Sequence, residues 1–318
     1  MKKYYIGVDL GGTNIAIGIT DEEFNIVVKG SVPTLAQRGG EAIVHDMAEL
    51  AKKLCSDIGI AKDEVAGVGI ASPGTVNPNT GIIEYANNIK FKDFPITKLF
   101  SEKFGIEESK IAIGNDANLA ALGEYVAGAA KGAGSSAMLT LGTGVGGGVI
   151  IDGKVLTGAH FGGAELGHIV VEYGGRPCTC GRRGCLEAYC SATGLIRLAR
   201  EKYEEYPDSV MHQLCKSADE INGKTPFDAK KMGDKAGTEV VDTYISYLAC
   251  GIGNVVNIFQ PDVILIGGGV CNQKDYLLLP LIEKVEAEVY GNLKTKIAIA
   301  SLGNDAGIIG AAALSRGN

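Results

Sequence analysis

The chain has 318 residues, more than one hydrophobic core usually organises, so two lobes are the first expectation. Apolar residues make up 46% and charged residues 21%, which speaks against disorder, and a net charge of −7 speaks against the basic stripe that nucleic-acid binding needs. Asp9 precedes any apolar run long enough for a signal peptide and no later run is long enough to span a bilayer, so a cytoplasmic protein without membrane or nucleic-acid partners is expected.

Residues 4–10 form a β-branched and aromatic run that ends in Gly11-Gly12, and residues 15–19 and 26–28 follow across an acidic turn, predicting a three-stranded meander. From Glu41 onward, Ile43, Met47, Leu50 and Leu54 recur at helical spacing, predicting a crossover helix before a strand over 65–70. A strand over 111–113 then enters Asn115-Asp116-Ala117-Asn118, and a helix is predicted from there to about Ala130. Next come strands over 137–141, 149–151 and 154–156, the last two joined by the hairpin signal Asp152-Gly153. This second meander repeats the opening plan and predicts two lobes of common design. The remainder alternates helices over 191–203, 238–259 and 276–290 with strands over 262–266 and 297–300, reads as polar near 222–226, and closes with a helix from Ala306.

Three glycine-rich turns each follow an apolar strand: Gly11-Gly12-Thr13, the run from Gly142 through Thr143 and Gly144 to Gly148, and Gly267-Gly268-Gly269. Glycines let backbone N–H groups approach phosphate oxygens closely, and a threonine hydroxyl adds a donor. A single turn of this kind is usually only a tight turn; three together, two with threonine, point to a nucleotide. Gly142, Gly144 and Gly147 match a dinucleotide fingerprint, but a strand rather than a helix follows them, and no phosphate-binding loop with Gly-Lys-Ser or Gly-Lys-Thr is present. Asp9, beside the first turn, is placed to meet the magnesium of Mg-ATP, with turn capping as the plainer role. Asp116, just past a strand end, has the chemistry of a general base for a hydroxyl, with helix capping as its plainer role.

Cys178, Cys180 and Cys185 lie within eight residues, with Gly181 and Gly184 permitting the turn, and together with one more nitrogen or sulfur ligand they suit zinc. His168 or Cys190 completes the set, and His168 is preferred. A zinc-bound His168 has its second ring nitrogen fixed in direction, and Glu165 and Glu187 sit close in sequence as carboxylates suited to a polyhydroxylated ligand. The Arg182-Arg183 pair reads as a solvated face.

These motifs, together with Ser72-Pro73-Gly74 and Leu141 to Gly148, resemble the ROK family of bacterial sugar kinases and repressors, most closely its zinc-containing glucokinase branch. The resemblance implies an α/β, two-lobed, actin-like ATPase (sugar kinase) fold with an interlobe cleft. Its lobes would be a small one over 1–114, completed by the helix over 305–318, and a large one over 115–304 carrying a zinc-binding segment over 165–187. It implies ATP-dependent transfer to a hexose, glucose at its 6-hydroxyl before N-acetylmannosamine, fructose, mannose or allose, with a non-catalytic sugar-sensing regulator as the rival class. It implies Asp116 as catalytic base, and Gly74, Asn88, Asn115, Asp116, Glu165, His168 and Glu187 around the sugar. Asp9, Gly11, Gly12, Thr13, Thr143, Gly144, Gly268 and Gly269 would face the nucleotide and its Mg2+, and His168, Cys178, Cys180 and Cys185 would hold one structural Zn2+. A homodimer or homotetramer is implied. The family's repressors carry an N-terminal helix-turn-helix, and the first strand here begins near residue 4, so DNA binding is disfavoured.

Overall fold

The computed structural model describes residues 2–86, 89–292 and 294–317. The opening meander forms as its alternation dictates: β1 (Tyr4–Leu10), β2 (Asn14–Thr20) and β3 (Ile26–Pro33) run antiparallel, with Gly7 opposite Gly18 and Ile17 opposite Gly30. Helix α1 (Gly40–Asp57) buries Ile43, Met47 and Leu54 on one face and returns the chain to β4 (Val65–Ser72), parallel to β1. A small antiparallel sheet follows, made of β5 (Thr75–Asn77), β6 (Ile82–Ala86) and β7 (Phe91–Phe94). After α2 (Ile96–Phe100), β8 (Ile111–Asn115) pairs in parallel with β4 and runs straight into α3 (Asp116–Ala127).

The second meander is β9 (Ser135–Leu141), β10 (Val145–Ile151) and β11 (Lys154–Val155). Asp152 at φ 50° and Gly153 at φ 75° are both left-handed, as a two-residue type I′ hairpin requires. Strand β10 begins at Val145, earlier than the sequence predicts, because Gly146 to Gly148 are extended: an added Cβ at Gly148 would press on Ala121 of α3. There follow α4 (Glu187–Cys190), α5 (Ala192–Glu205), α6 (Met211–Leu214), α7 (Thr225–Lys231), α8 (Lys235–Phe259), β12 (Val263–Gly267), α9 (Asp275–Glu288), β13 (Lys296–Ile299) and α10 (Ala306–Arg316). The two five-stranded sheets have matching orders, β3-β2-β1-β4-β8 and β11-β10-β9-β12-β13, which bears out the repeated plan.

The chain divides into two compact units. One gathers Met1–Ser136, Gly148–Ala164 and Ala300–Asn318; the other holds Ala137–Gly147 and Glu165–Ile299. In the first unit α10 is buried along Ala306 to Ala313 and lies directly on the sheet. Gly7 and Gly69 permit this approach, since an added Cβ at either would overlap the carbonyl of Ile308 or Ala311. Helix position is thereby set by backbone contact, with overpacking costing about 1–3 kcal/mol or more.

Candidate active site

In the first unit, three parallel strands end side by side. The register places Asp9 beside Ala71 and Ser72 beside Asn115, so Asp9, Gly74 and Asn115-Asp116 gather where β1, β4 and β8 finish. Carboxyl ends of parallel strands are where α/β sheets present their chemistry. Asn115 is the N-cap of α3: its side-chain oxygen accepts from the N–H groups of Ala117 (3.0 Å) and Asn118 (3.2 Å), and its Nδ2 donates to the Gly74 carbonyl (3.2 Å). Gly74, at φ 87°, could carry no side chain there without meeting the Tyr85 carbonyl. The capping role considered for Asp116 thus falls to its neighbour, although the Asp116 carboxylate also accepts from the Ala117 N–H at 2.8 Å.

Burial raises the pKa of Asp116 above the ordinary carboxylate range, an effect only partly offset by the N–H of Ala117. Asp9 is pushed up to about 6, first by burial and then by the nearby charge of Asp116. The two carboxylates are far apart in sequence and share one field.

The first glycine turn, Gly11-Gly12-Thr13, closes with the Gly11 N–H on the Asn14 carbonyl (3.0 Å). It is braced by Thr34, whose hydroxyl donates to the Gly11 carbonyl (2.6 Å) and whose N–H donates to the Thr13 carbonyl (2.8 Å). Gly12 and Thr13 remain exposed, leaving their donors outward.

The second unit carries the other turn. Gly142 donates to the Gly144 carbonyl (3.0 Å); Ala192 N–H reaches the Gly142 carbonyl (2.8 Å) and the Thr193 hydroxyl the Thr143 carbonyl (3.0 Å). Thr34 and Thr193 escaped sequence reasoning, since each acts on a turn remote in the chain and neither belongs to a motif. Gly268, at φ 97°, exits β12 against the Leu141 carbonyl, where only glycine fits, and exposed Gly269 follows.

His168, Cys178, Cys180 and Cys185 converge in this unit, their ligand atoms all within 4.8 Å of one another. The Cys180 and Cys185 sulfurs are 3.7 Å apart, and Cys178 Sγ is 3.7 Å from His168 Nδ1. Zinc–sulfur bonds of about 2.3 Å give tetrahedral edges of about 3.8 Å, close to the two 3.7 Å pairs, and the chemistry of the four donors suits zinc. Cys190 stands apart, fully buried, with its thiol against the Tyr244 carbonyl. The loop is folded by its backbone: Cys178 N–H to Arg182 O (2.9 Å), Gly181 N–H to Cys178 O (3.0 Å) and Gly184 N–H to Arg176 O (2.7 Å). Arg182 and Arg183 are exposed as expected, and each also donates to a backbone carbonyl, of His168 (3.1 Å) and Gly174 (3.2 Å).

Glu187 joins this loop to the glycine turn. Its Oε2 accepts from the Val145 N–H (3.0 Å) and its Oε1 from the Thr179 hydroxyl (3.0 Å). Glu165 opens the single helical turn Leu166–His168, its carbonyl accepting the His168 N–H at 3.0 Å. Asn88 lies outside the described residues.

The ROK family model matches residues 5–318. The chain belongs to the ROK family. It is 39% identical to the glucokinase of Halalkalibacterium halodurans over 314 residues, covering 97% of this chain and 93% of that one. Its fold is similar to that of the ROK hexokinase from Thermus thermophilus (33% identical, TM-score 0.83, covering 97% and 96% of the two chains). It is also similar to that of a ROK glucokinase from Streptomyces griseus in complex with glucose and AMPPNP (32% identical, TM-score 0.80, 99% and 100% covered). The ROK sugar kinases have the actin-like ATPase fold, and the paired α/β sheets here are of that type. Among the described residues no helix is long and apolar enough to cross a membrane.

Proposed function

We infer that this chain is an ATP-dependent hexose kinase of the glucokinase type, transferring the γ-phosphoryl group of ATP to the 6-hydroxyl of glucose. Full-length similarity to ROK glucokinases supports the reading, as does the glucose and AMPPNP bound by the S. griseus relative. The observation that carries it is Asp116, which leads α3 with the capping duty taken by Asn115 and which burial makes more basic than an ordinary carboxylate.

In this reading the sugar oxygen bonds to the γ-phosphorus as the bond from phosphorus to the β,γ-bridging oxygen breaks, and Asp116 accepts the hydroxyl proton late. Phosphoryl transfer asks mainly for alignment and charge stabilisation, so a base that orients the attacking oxygen suffices. Asn115, Glu165, His168 and Glu187 are the ligands of the sugar hydroxyls in this reading, and Gly74 and Asn88 are assigned to the sugar as well. The turns at Gly11 to Thr13 and Thr143-Gly144 offer N–H and hydroxyl donors to the phosphates, Gly268 and Gly269 flank the adenosine, and Asp9 meets the magnesium of Mg-ATP. His168, Cys178, Cys180 and Cys185 would hold a zinc ion, which would supply rigidity. Ligation through Nδ1 would leave His168 Nε2 free to meet a sugar hydroxyl. Such a protein works in the cytoplasm, where thiolates stay reduced, as a homodimer or homotetramer.

A coupled assay over a panel of hexoses and phosphoryl donors tests the reading. Glucose with ATP is expected to give the highest kcat/KM; ADP release that no hexose stimulates would defeat it.

A further inference from the structure

In the second unit, the peptide joining Gly144 to Val145 is pinned at both ends. Its carbonyl, on Gly144, accepts from the Gly142 N–H (3.0 Å), and its N–H, on Val145, donates to Glu187 Oε2 (3.0 Å). Glycine leaves a backbone free to rotate, so an unpinned peptide here would let the turn sample other shapes. Val145 is only 4% exposed, and water is a poor substitute for the carboxylate at such a position. Two glycines make room for the arrangement. An added Cβ at Gly144 would press on the Glu187 carboxylate, and one at Gly167, in the helical turn Leu166–His168, would overlap the Val145 carbonyl. The other oxygen of Glu187 is held as well: Oε1 accepts from the Thr179 hydroxyl (3.0 Å) in the cysteine loop, with Cys178 Sγ 3.6 Å away. A carboxylate oxygen accepts more than one hydrogen bond, so both struts leave lone pairs for a sugar hydroxyl. The run that begins with Glu187 also supports the turn through Ala192 and Thr193, which hold the carbonyls of Gly142 and Thr143.

We propose that Glu187, aimed by Thr179, is a positioning residue for the glycine turn: it locks the Gly144–Val145 peptide and so sets nucleotide affinity before any hexose binds. That the turn meets phosphates, and that Glu187 also meets the sugar, rests on the kinase reading. A turn shaped in advance binds phosphates without an ordering cost, and loss of the strut returns that cost to the nucleotide. The cysteine loop, through Thr179, thereby acts on the phosphate side as well as the sugar side.

The test uses full-length protein without hexose. In Glu187→Ala, amide exchange at Val145, read by NMR, should be about tenfold faster than in the wild type, and the Kd for Mg-AMPPNP, read by calorimetry, should rise about fivefold or more. Glu187→Gln should recover both, because its side-chain oxygen still accepts from the Val145 N–H while its side-chain nitrogen donates to the Thr179 hydroxyl. A residue that only binds sugar would leave hexose-free nucleotide binding the same in all three proteins. Thr179→Val, at an exposed site, serves if Glu187→Ala does not fold. It should move both readings about twofold in the same direction with metal content unchanged, and Thr179→Ser should restore them. Unchanged exchange at Val145 in the variant that folds, or faster exchange with an unchanged Kd, overturns the proposal. If the wild type binds no AMPPNP, the kinase reading fails, and amide exchange alone decides whether Glu187 locks the turn.

Discussion

The two glycine turns are built alike and equipped differently. Each opens the first hairpin of a five-stranded sheet of matching order, and each has its carbonyls held by a distant threonine, Thr34 for Gly11 and Thr193 for Thr143. Beside the first turn stand two half-buried carboxylates, Asp9 and Asp116, whose burial raises both pKa values. Beside the second there is instead a nitrogen- and sulfur-donor cluster, tied by Glu187 to the Val145 N–H. One scaffold thus desolvates two acids and, in its repeat, gathers nitrogen and sulfur donors.

The sharpest way to separate the two halves is Asp116→Asn, which keeps shape and removes the proposed base. It should lower kcat by about 10²- to 10⁴-fold with the hexose KM nearly unchanged, as measured by steady-state kinetics. Cys185→Ser strikes the other half. Elemental analysis should show zinc lost, and the hexose KM should rise by about 10- to 100-fold as His168 and Glu187 lose their support. Retention of stoichiometric zinc with an unchanged KM would contradict this division of labour.

A smaller effect concerns stability. Burial and the charge of Asp116 push the Asp9 pKa up to about 6, above the ordinary carboxylate range, so its charged form penalises the folded state. The penalty is complete above pH 6 and disappears as pH falls from 6 to 4, where the folded protein holds the proton and the unfolded chain does not yet. Asp9→Asn should therefore stabilise the protein at pH 7 by on the order of 2–3 kcal/mol, with the gain vanishing near pH 4, while impairing the use of Mg-ATP. Thermal unfolding at the two pH values checks the sign. The smallest expected change comes from the bracing threonines. Thr34→Val, at a buried site, should cost about 1–2 kcal/mol and raise the KM for ATP several-fold, and Thr193→Val, more exposed, about 0.5–1 kcal/mol. Equal losses would mean that burial does not distinguish the two braces.

Much of the framework was legible in advance because it is periodic. The meander strands, α1, α3 and α8 follow apolar alternation or helical spacing closely enough that the sequence specifies them, apart from their ends. The sheet of β5, β6 and β7 was missed: its strands are short, and Tyr85 is exposed in the middle strand. The sequence near 222–226 reads as polar, yet Thr225-Pro226 opens α7 and carries the signal of a proline in a helix's first turn. Of the candidate site, the cysteine spacing and the Asn-Asp pair announced themselves as local patterns. The role of Thr34 carries no such pattern, since its sequence neighbours do not reveal which turn it will meet.

The sequence by itself determined which segments are strands and helices, where the turns must be glycine, and which cysteines lie close enough to share a metal, because these depend on neighbours a few residues apart. Tertiary structure alone decided that Asp9 and Asp116 share a field, that Asn115 relieves Asp116 of the capping role, and that Glu187 reaches from the cysteine loop to the Val145 N–H. Desolvation and Coulomb interactions follow distance and burial in space, and the order of residues along the chain specifies neither until the sheets have formed.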